Sequence, residues 1–353
     1  MVAVAGPAKV LVTGANGYLA AWVVQKYLEA GYSVRGTVRN ATKSAFLNSM
    51  FAKYGGRFEL YVVDDITKDG AFDEAVEGVE VVAHVASPFH FGPSDPDEFI
   101  IPAVQGTLSI LDSVSKNGSS VKRVVLTSSI VSIWEDWNDS KTRVFDESNW
   151  NDLAVESVKK QGMAAGPFVV YQASKTLAER AAWDYVAAYK GKLSWDLVAI
   201  NPAYIFGPSL TPAPTIDDIN TSQRQVYDTL IGKKSSAELQ WWGSWCHVAL
   251  TAEAHVRATY TGRAGGERII IRSGHFFFQD IWGVVNAASE LGVPNVARGE
   301  PDAIKDLPKL SLFKSTKAED LLGLKQISEL KDMVEESVKD FTARGYPGFT
   351  SAH

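Results

Sequence analysis

Residues 9–20 read Lys-Val-Leu-Val-Thr-Gly-Ala-Asn-Gly-Tyr-Leu-Ala. A short apolar run stops at Gly14, and Leu19, Val23, Val24, Tyr27 and Leu28 follow at helical spacing. A strand that turns at once into a helix belongs to the strand–helix–strand unit of a parallel sheet, because parallel neighbours need a crossover. Gly14 permits the tight turn, Gly17 lets the backbone approach a pyrophosphate, and small Ala20 lets the helix sit close to the strand. An anion placed there meets free N–H groups and the positive end of the helix dipole. Paired glycines alone are common in turns; the strand before and the helix after give this pair its meaning. The segment predicts a dinucleotide site contacted by Gly14, Asn16, Gly17, Tyr18 and Leu19.

The pattern repeats down the chain. Apolar strand candidates recur at 9–13, 33–38, 58–63, 79–85, 122–127 and 195–200, with helical stretches near 17–30, 42–53, 70–77, 97–117 and 171–190 between them. Such alternation predicts an α/β fold built on a doubly wound parallel sheet of the Rossmann type. Ligands of such sheets bind beyond the carboxyl ends of the strands. The Gly14 turn, Arg39, Asp65, Ala86-Ser87-Pro88, Ser128-Ser129 and Asn201-Pro202 all fall at those ends. After Pro202 the rhythm fades. Residues 207–245 are rich in Pro, Ser, Thr and Trp, 269–271 read as a strand, and 278–290, 316–323 and 328–343 read as helices. The expected organisation is a dinucleotide-binding domain over 1–202 and a smaller C-terminal substrate-binding lobe over 203–353, with 249–262 packing back on the first domain.

Three residues suggest chemistry. Tyr171 and Lys175 stand four apart in a helical segment and so share a face. A tyrosine ionises near 10 and is a poor acid–base group at neutral pH, but a neighbouring Lys⁺ favours its phenolate and predicts a lowered pKa. Ser129 closes the apolar run Val-Val-Leu-Thr-Ser-Ser and offers a second hydroxyl. Together they suit proton delivery to a carbonyl oxygen as it gains charge. A nicotinamide cofactor would complete a reduction. At the end of the second strand an NAD site places an acid against the ribose 2′-OH, whereas an Arg accommodates a 2′-phosphate. This chain has Arg39 there and Lys43 one turn on, with no acid nearby, which predicts NADPH. Arg35 competes for the role but lies further from the strand end.

Composition narrows the alternatives. Of 353 residues 35 are basic and 41 acidic, a net charge of −6 that argues against nucleic acid or an anionic membrane as partner. The one cysteine, Cys246, excludes an intrachain disulfide and suits a reducing compartment; it reads as a small buried hydrophobe. The N-terminus lacks the basic and apolar regions of a signal peptide, and the uncharged run 197–216 is broken by Pro202, Pro208, Pro212 and Pro214, so a cytoplasmic protein is expected. His84, His90, His247, His255, His275 and His353 form no metal-ligand spacing, and no metal is expected.

Five segments carry a family resemblance: Val12-Thr-Gly-Ala-Asn-Gly-Tyr-Leu-Ala, His84-Val-Ala-Ser-Pro-Phe, Val124-Val-Leu-Thr-Ser-Ser, Tyr171-Gln-Ala-Ser-Lys-Thr-Leu-Ala-Glu-Arg and Asn201-Pro-Ala-Tyr-Ile-Phe-Gly-Pro. In this order and separation they are highly specific. The chain resembles the extended short-chain dehydrogenase/reductases over nearly its whole length, and within them the fungal NADPH-dependent aldehyde and ketone reductases of the methylglyoxal and isovaleraldehyde type. Plant dihydroflavonol and cinnamoyl-CoA reductases are the next relatives. The resemblance implies that Ser129 polarises the carbonyl, Tyr171 is the general acid, and Lys175 tunes Tyr171 and holds the nicotinamide ribose. It implies that Pro202, Ala203 and Ile205 line the nicotinamide, that Asp65 and Ile66 flank the adenine, and that Ala86 and Ser87 lie along the cofactor's middle. It places Phe89, Ile130, Trp134, Phe168 and Tyr204 in the substrate pocket. The chain departs from its relatives at His247-Val-Ala-Leu-Thr-Ala, where acids are usual, and at Gln105, where many members carry Asn.

An aromatic pocket would accept an apolar or aryl group beside the carbonyl. Trp241, Trp242 and Trp245 read equally as pocket or core, and Arg224, Lys233 and Lys234 as solvated cations. The expected protein is a monomeric or homodimeric reductase of small carbonyl compounds. A nucleotide-sugar epimerase or dehydratase, wanting an acid at Arg39 and cations for a diphosphate, and a non-catalytic NADP sensor are the alternatives.

Overall fold

The computed structural model describes residues 3–87, 95–136, 141–287, 301–304, 307, 311–325 and 328–349. The first apolar runs become β1 (Lys9–Val12), β2 (Ser33–Val38), β3 (Phe58–Val62), β4 (Val81–His84) and β5 (Arg123–Thr127). Further strands are β6 (Arg143–Phe145), β7 (Asp196–Pro202), β8 (Tyr204–Phe206), β9 (Trp242–His247), β10 (Arg268–Ile271), β11 (Gly274–Phe277) and β12 (Ser311–Phe313). The helices are α1 (Tyr18–Glu29), α2 (Phe46–Phe51), α3 (Asp97–Asn117), α4 (Asp152–Gln161), α5 (Pro167–Ala188) and α6 (Thr221–Leu230). They continue with α7 (Ser236–Leu239), α8 (Val248–Tyr260), α9 (Phe278–Ala287), α10 (Thr316–Asp320) and α11 (Leu330–Ala343).

Seven strands form one parallel sheet in the order β3-β2-β1-β4-β5-β7-β10. The chain starts in the middle at β1, winds outward to β3, then returns to β4 and winds the other way. That reversal between β1 and β4 opens the crevice in which such sheets bind ligands. Sheet residues alternate between two cores. Val10 and Val12 face α1 and α8, while Leu11 faces α3. Every residue of β4 and β10 is buried, as strands covered on both faces must be.

The sheet differs from the sequence expectation at its edge. Residues 269–271, expected in the second lobe, lie in β10 and extend the central sheet by pairing with β7. Helix α8 packs against α1. Between Gly70 (φ 71°) and Gly78 (φ 69°) the chain turns repeatedly instead of forming a helix, carrying Phe72, Ala75 and Val76 into the core. The predicted 42–53 helix shrinks to α2, followed by a 3₁₀ stretch through left-handed Gly55. Strand β6 and helix α4 were not anticipated. Helix α5 starts at Pro167, whose fixed φ and missing N–H suit a first turn.

Beyond Pro202 a three-stranded sheet, β11-β9-β8, packs on α6, α9 and α11. Its core holds Phe206, Tyr227, Trp245, Phe276, Trp282 and Phe341. A two-strand ladder, β12 beside β6, ties residues 311–313 to 143–145.

Candidate active site

A cleft of about 730 Å³ runs along the carboxyl ends of β1 to β4. Gly14, Asn16, Gly17, Tyr18, Leu19, Arg39, Asp65, Ile66, Ala86 and Ser87 all line it. Gly14 has φ 67°, and a Cβ there would stand 3.1 Å from the Ala86 methyl, so glycine is required by conformation and by space. A Cβ on Gly17 would meet the Gly14 carbonyl at 3.1 Å. Thr13, which the sequence reading did not single out, joins the two strands. Its hydroxyl accepts from the backbone N–H of Val85 and Ala86, both at 3.0 Å. Its own proton is thereby directed to His84 Nδ1, 3.0 Å away, and the imidazole carries its proton on Nε2. Burial, followed by the nearby Lys175 charge, lowers His84 to about 3, so this imidazole is neutral. The Val-Thr-Gly order before the turn was the available signal.

Arg39 is exposed just past the end of β2 and lines the cleft beside Asp65, which follows the neighbouring β3. Asp65 is held low first by the Thr67 hydroxyl and last by Arg39. Arg35 is otherwise engaged: it donates to Glu59 at 2.7 Å and to the carbonyls of Ala75 and Glu77 at 2.8 and 2.9 Å. Lys43 is exposed and stands outside the cleft lining.

The triple meets at the far end of the cleft. Ser129 follows β5 in an extended conformation (φ −159°) and caps the 3₁₀ turn Ile130–Ser132, its Oγ accepting from Val131 N. Tyr171, in the second turn of α5, shares a hydrogen bond with the Ser129 hydroxyl. Lys175, one turn on, donates from Nζ to Ser87 Oγ at 3.0 Å. Ser87 lines the first cleft and Lys175 the neighbouring cavity, so the ammonium stands where the two meet. The electrostatics correct the sequence expectation. Burial raises Tyr171 to about 12, nearby Tyr204 pushes the same way, and the Ser129 hydrogen bond opposes both. Burial lowers Lys175 to about 8. Desolvation disfavours each charged form, and neither group's charge figures among the causes of the other's shift. The phenol is therefore held protonated, and the lysine remains mostly cationic at neutral pH.

The neighbouring cavity, about 610 Å³, is lined by Ser129, Tyr171 and Lys175 on one wall and by aromatic side chains on the others. Ile130, Trp134, Phe168 and Tyr204 line it, as do Pro202, Ala203 and Ile205. Phe168 lies 6.4 Å from the Tyr171 ring and 6.3 Å from Trp134, whose indole N–H donates to Ser311 Oγ at 2.7 Å. Trp241 takes both roles left open by the sequence, and Trp242 that of pocket wall. Each borders the cavity, while Trp241 packs on Phe276 and Phe278 and Trp242 stacks on His275. Trp245 belongs to the core alone. Phe89 lies outside the described residues. Asn220, Ser222, Ser244 and Ser311 add polar points that the sequence reading missed; Asn220 as the cap of α6 was the available signal.

Lys234 is not solvated as expected. Its side chain is 5% exposed and donates to Gln225 while lying over the Phe278 ring. Arg224 pairs with Asp217 and Asp228. Gln105 is exposed. His247, which opens the segment where the resemblance predicts acids, caps α8 through Nδ1 and approaches Glu336 of α11 at 3.0 Å through Nε2. Cys246 is buried. Among the described residues no group of three His, Cys, Asp or Glu side chains is placed to hold a metal, and no helix is long and apolar enough to cross a membrane.

The NAD dependent epimerase/dehydratase family model matches residues 10–271. The ketoreductase azaE of Aspergillus niger is 36% identical over 326 residues, covering 90% of this chain and 92% of that protein. The NADPH-dependent methylglyoxal reductase GRE2 of Saccharomyces cerevisiae is 31% identical over 336 residues, covering 93% and 96%. Among solved structures, Gre2 of Candida albicans in complex with NADPH is similar with a TM-score of 0.86 at 28% identity, covering 96% of this chain and 99% of that one.

Proposed function

Because the chain belongs to the NAD dependent epimerase/dehydratase family, the extended short-chain dehydrogenase/reductases, we propose that it is an NADPH-dependent reductase of aldehydes and ketones. The observation that carries this reading is the wall of the 610 Å³ cavity: Ser129, Tyr171 and Lys175 converge there, and Lys175 is the one charged side chain among the described residues that line it. A nucleotide-sugar epimerase needs cations for a diphosphate and an acid at the ribose. This cavity is aromatic, and Arg39 occupies the acid's place.

The residues present fit the cofactor. The Gly14–Gly17 turn at the N-terminus of α1 suits a pyrophosphate, Arg39 a 2′-phosphate, Asp65 and Ile66 the adenine side, and Pro202, Ala203 and Ile205 the nicotinamide. NADPH held there supplies the hydride. Ser129 and Tyr171 present two hydroxyls to one carbonyl oxygen and so fix its orientation. Tyr171 gives up its proton to that oxygen as negative charge grows on it. An alkoxide is a far stronger base than a phenolate, so the transfer runs downhill even from a phenol near 12. Lys175 then faces the phenolate and stabilises it. The aromatic walls take an apolar or aryl substituent and exclude water, which strengthens each of these interactions.

We place this activity in the cytoplasm, consistent with a single buried thiol, in a monomer or homodimer acting on small carbonyl compounds. The test is loss of NADPH absorbance with a panel of aldehydes, diketones and aryl ketones, wild type beside Tyr171→Phe. Turnover in the wild type that falls at least about a hundredfold in the variant is expected. Equal turnover in both, or none with any carbonyl despite NADPH binding, would overturn the reading.

A further inference from the structure

Glu179 lies on α5 one turn beyond Lys175 and two beyond Tyr171, and it is 1% exposed. Its carboxylate is surrounded by donors. Ser128 Oγ (2.6 Å), Ser132 Oγ (2.5 Å) and Asn201 Nδ2 (2.8 Å) donate to Oε2. Arg268 Nε (2.6 Å) and Trp183 Nε1 (3.2 Å) donate to Oε1. Burial pushes this carboxyl up, but Arg268 and the hydroxyls outweigh it and hold it below the ordinary range. Arg268 is itself held, by carbonyls of Glu147 and Asn149 and by the Trp150 ring 3.7 Å away.

A buried ion pair is a poor way merely to fasten a helix, since apolar side chains of similar volume do so at least as well. What an apolar residue cannot do is hold a polar backbone segment at a set position. The partners of Glu179 are that segment. Ser128 and Ser132 flank Ser129 on either side. Asn201, while donating to the carboxylate, also donates to the Ser129 carbonyl at 3.2 Å, and the Ser132 hydroxyl lies 2.7 Å from that same carbonyl. The Ser129 side chain is left out of the cluster and points to Tyr171. One carboxylate on the helix that carries the phenol and the ammonium therefore holds the turn that carries the third group.

We propose that Glu179 is a positioning residue of the reaction: it locks the Ser128–Ser132 turn to α5 and so sets the distance from Ser129 Oγ to Tyr171. This rests on the reading of Ser129, Tyr171 and Lys175 as a reductase centre. The test is a double-mutant cycle of Glu179→Gln with Ser129→Ala, the slow variants followed at high enzyme concentration. The amide is isosteric, but whichever way it turns its NH₂ faces donors that need an acceptor. In the wild-type background Glu179→Gln should lower kcat roughly ten- to a hundredfold, the scale of a 1 Å misplacement, with the NADPH dissociation constant within about twofold. In the Ser129→Ala background the same change should cost less than about twofold, because the group it aims is gone. The same loss in both backgrounds, or an unchanged kcat in the first, overturns the proposal. If Glu179→Gln fails to fold, as judged by circular dichroism, Ser132→Ala removes one link without stranding the Arg268 charge, and the same two outcomes decide. Tyr171→Phe is run alongside. Its inactivity together with an additive cycle rejects only the Glu179 role, whereas wild-type turnover by Tyr171→Phe rejects the reductase reading itself.

Discussion

Arg39→Ala should convert a strong preference for NADPH into a weak one. Arg39 follows β2 at the lip of the cleft, beside Asp65 and Ile66, and no ion pair holds it among the described residues. Its neighbour Arg35 spends its donors on Glu59 and on backbone carbonyls, so it does not substitute. A hydrogen bond to a charged group contributes about 1.5–3 kcal/mol. The guanidinium is exposed, so screening places its contact with a 2′-phosphate in the lower half of that range, about 1.5–2 kcal/mol, or about 10- to 30-fold in affinity. Fluorescence titration of NADPH and NADH into wild type and variant reads this without requiring turnover. The NADPH dissociation constant should rise by that factor while that for NADH changes less than about twofold, since NADH has no phosphate to lose. Raising the salt should erode the wild-type preference and leave the variant's nearly unmoved. Lys43→Ala serves as a comparison. That side chain stands outside the cleft lining, and its loss should matter less than about threefold. An NADPH-to-NADH ratio unchanged in Arg39→Ala would refute the assignment of Arg39 to the 2′-phosphate.

Two further outcomes follow from the cavity. With its ammonium lowered to about 8, Lys175 loses its charge as pH rises through that value, while Tyr171, at about 12, stays protonated. The reductive kcat/KM should therefore decline on the alkaline side of about 8, and a profile flat to about pH 10 would show that the lysine charge does not assist the transfer. Trp134→Ala and Phe168→Ala remove aromatic wall beside Tyr171 and should shift the preference between aryl and small aliphatic ketones about 10- to 200-fold, with NADPH binding nearly unchanged; identical preference ratios in wild type and both variants would show that these rings do not select the substrate.

The Gly14–Gly17 turn and the Tyr171–Lys175 pair of the proposed triple were legible because each is encoded over a few residues. Gly14 and Gly17 are three apart, Tyr171 and Lys175 four apart, and the strand ends follow from apolar runs that stop. The elements that were missed depend on distant partners or on weak local signals. Residues 269–271 read as a strand, but nothing local says that β7 and not β9 will pair with it. Helix α6 announces itself only by the Asn220 cap within a segment rich in Pro and Trp. Apart from Trp183 one helical turn on, the partners of Glu179 lie 22 to 89 positions away, and no spacing rule connects them.

The error over Tyr171 is the more instructive one. A phenol and an ammonium one helical turn apart are close in any helix, so the attraction was visible and predicted a lowered pKa. Desolvation was not visible, because it is imposed by other segments: Ile130 after β5, Ala203 and Ile205 after β7, and Tyr204, whose own phenol adds to the rise. Spacing reports which charges are neighbours; it does not report how dry they are. At this site dryness decides the sign of both shifts, and neither takes its group out of the protonated form at neutral pH. A phenol raised to about 12 and an ammonium lowered to about 8 are, at neutral pH, one fully and one mostly in the protonated forms that delivering a proton to a carbonyl requires.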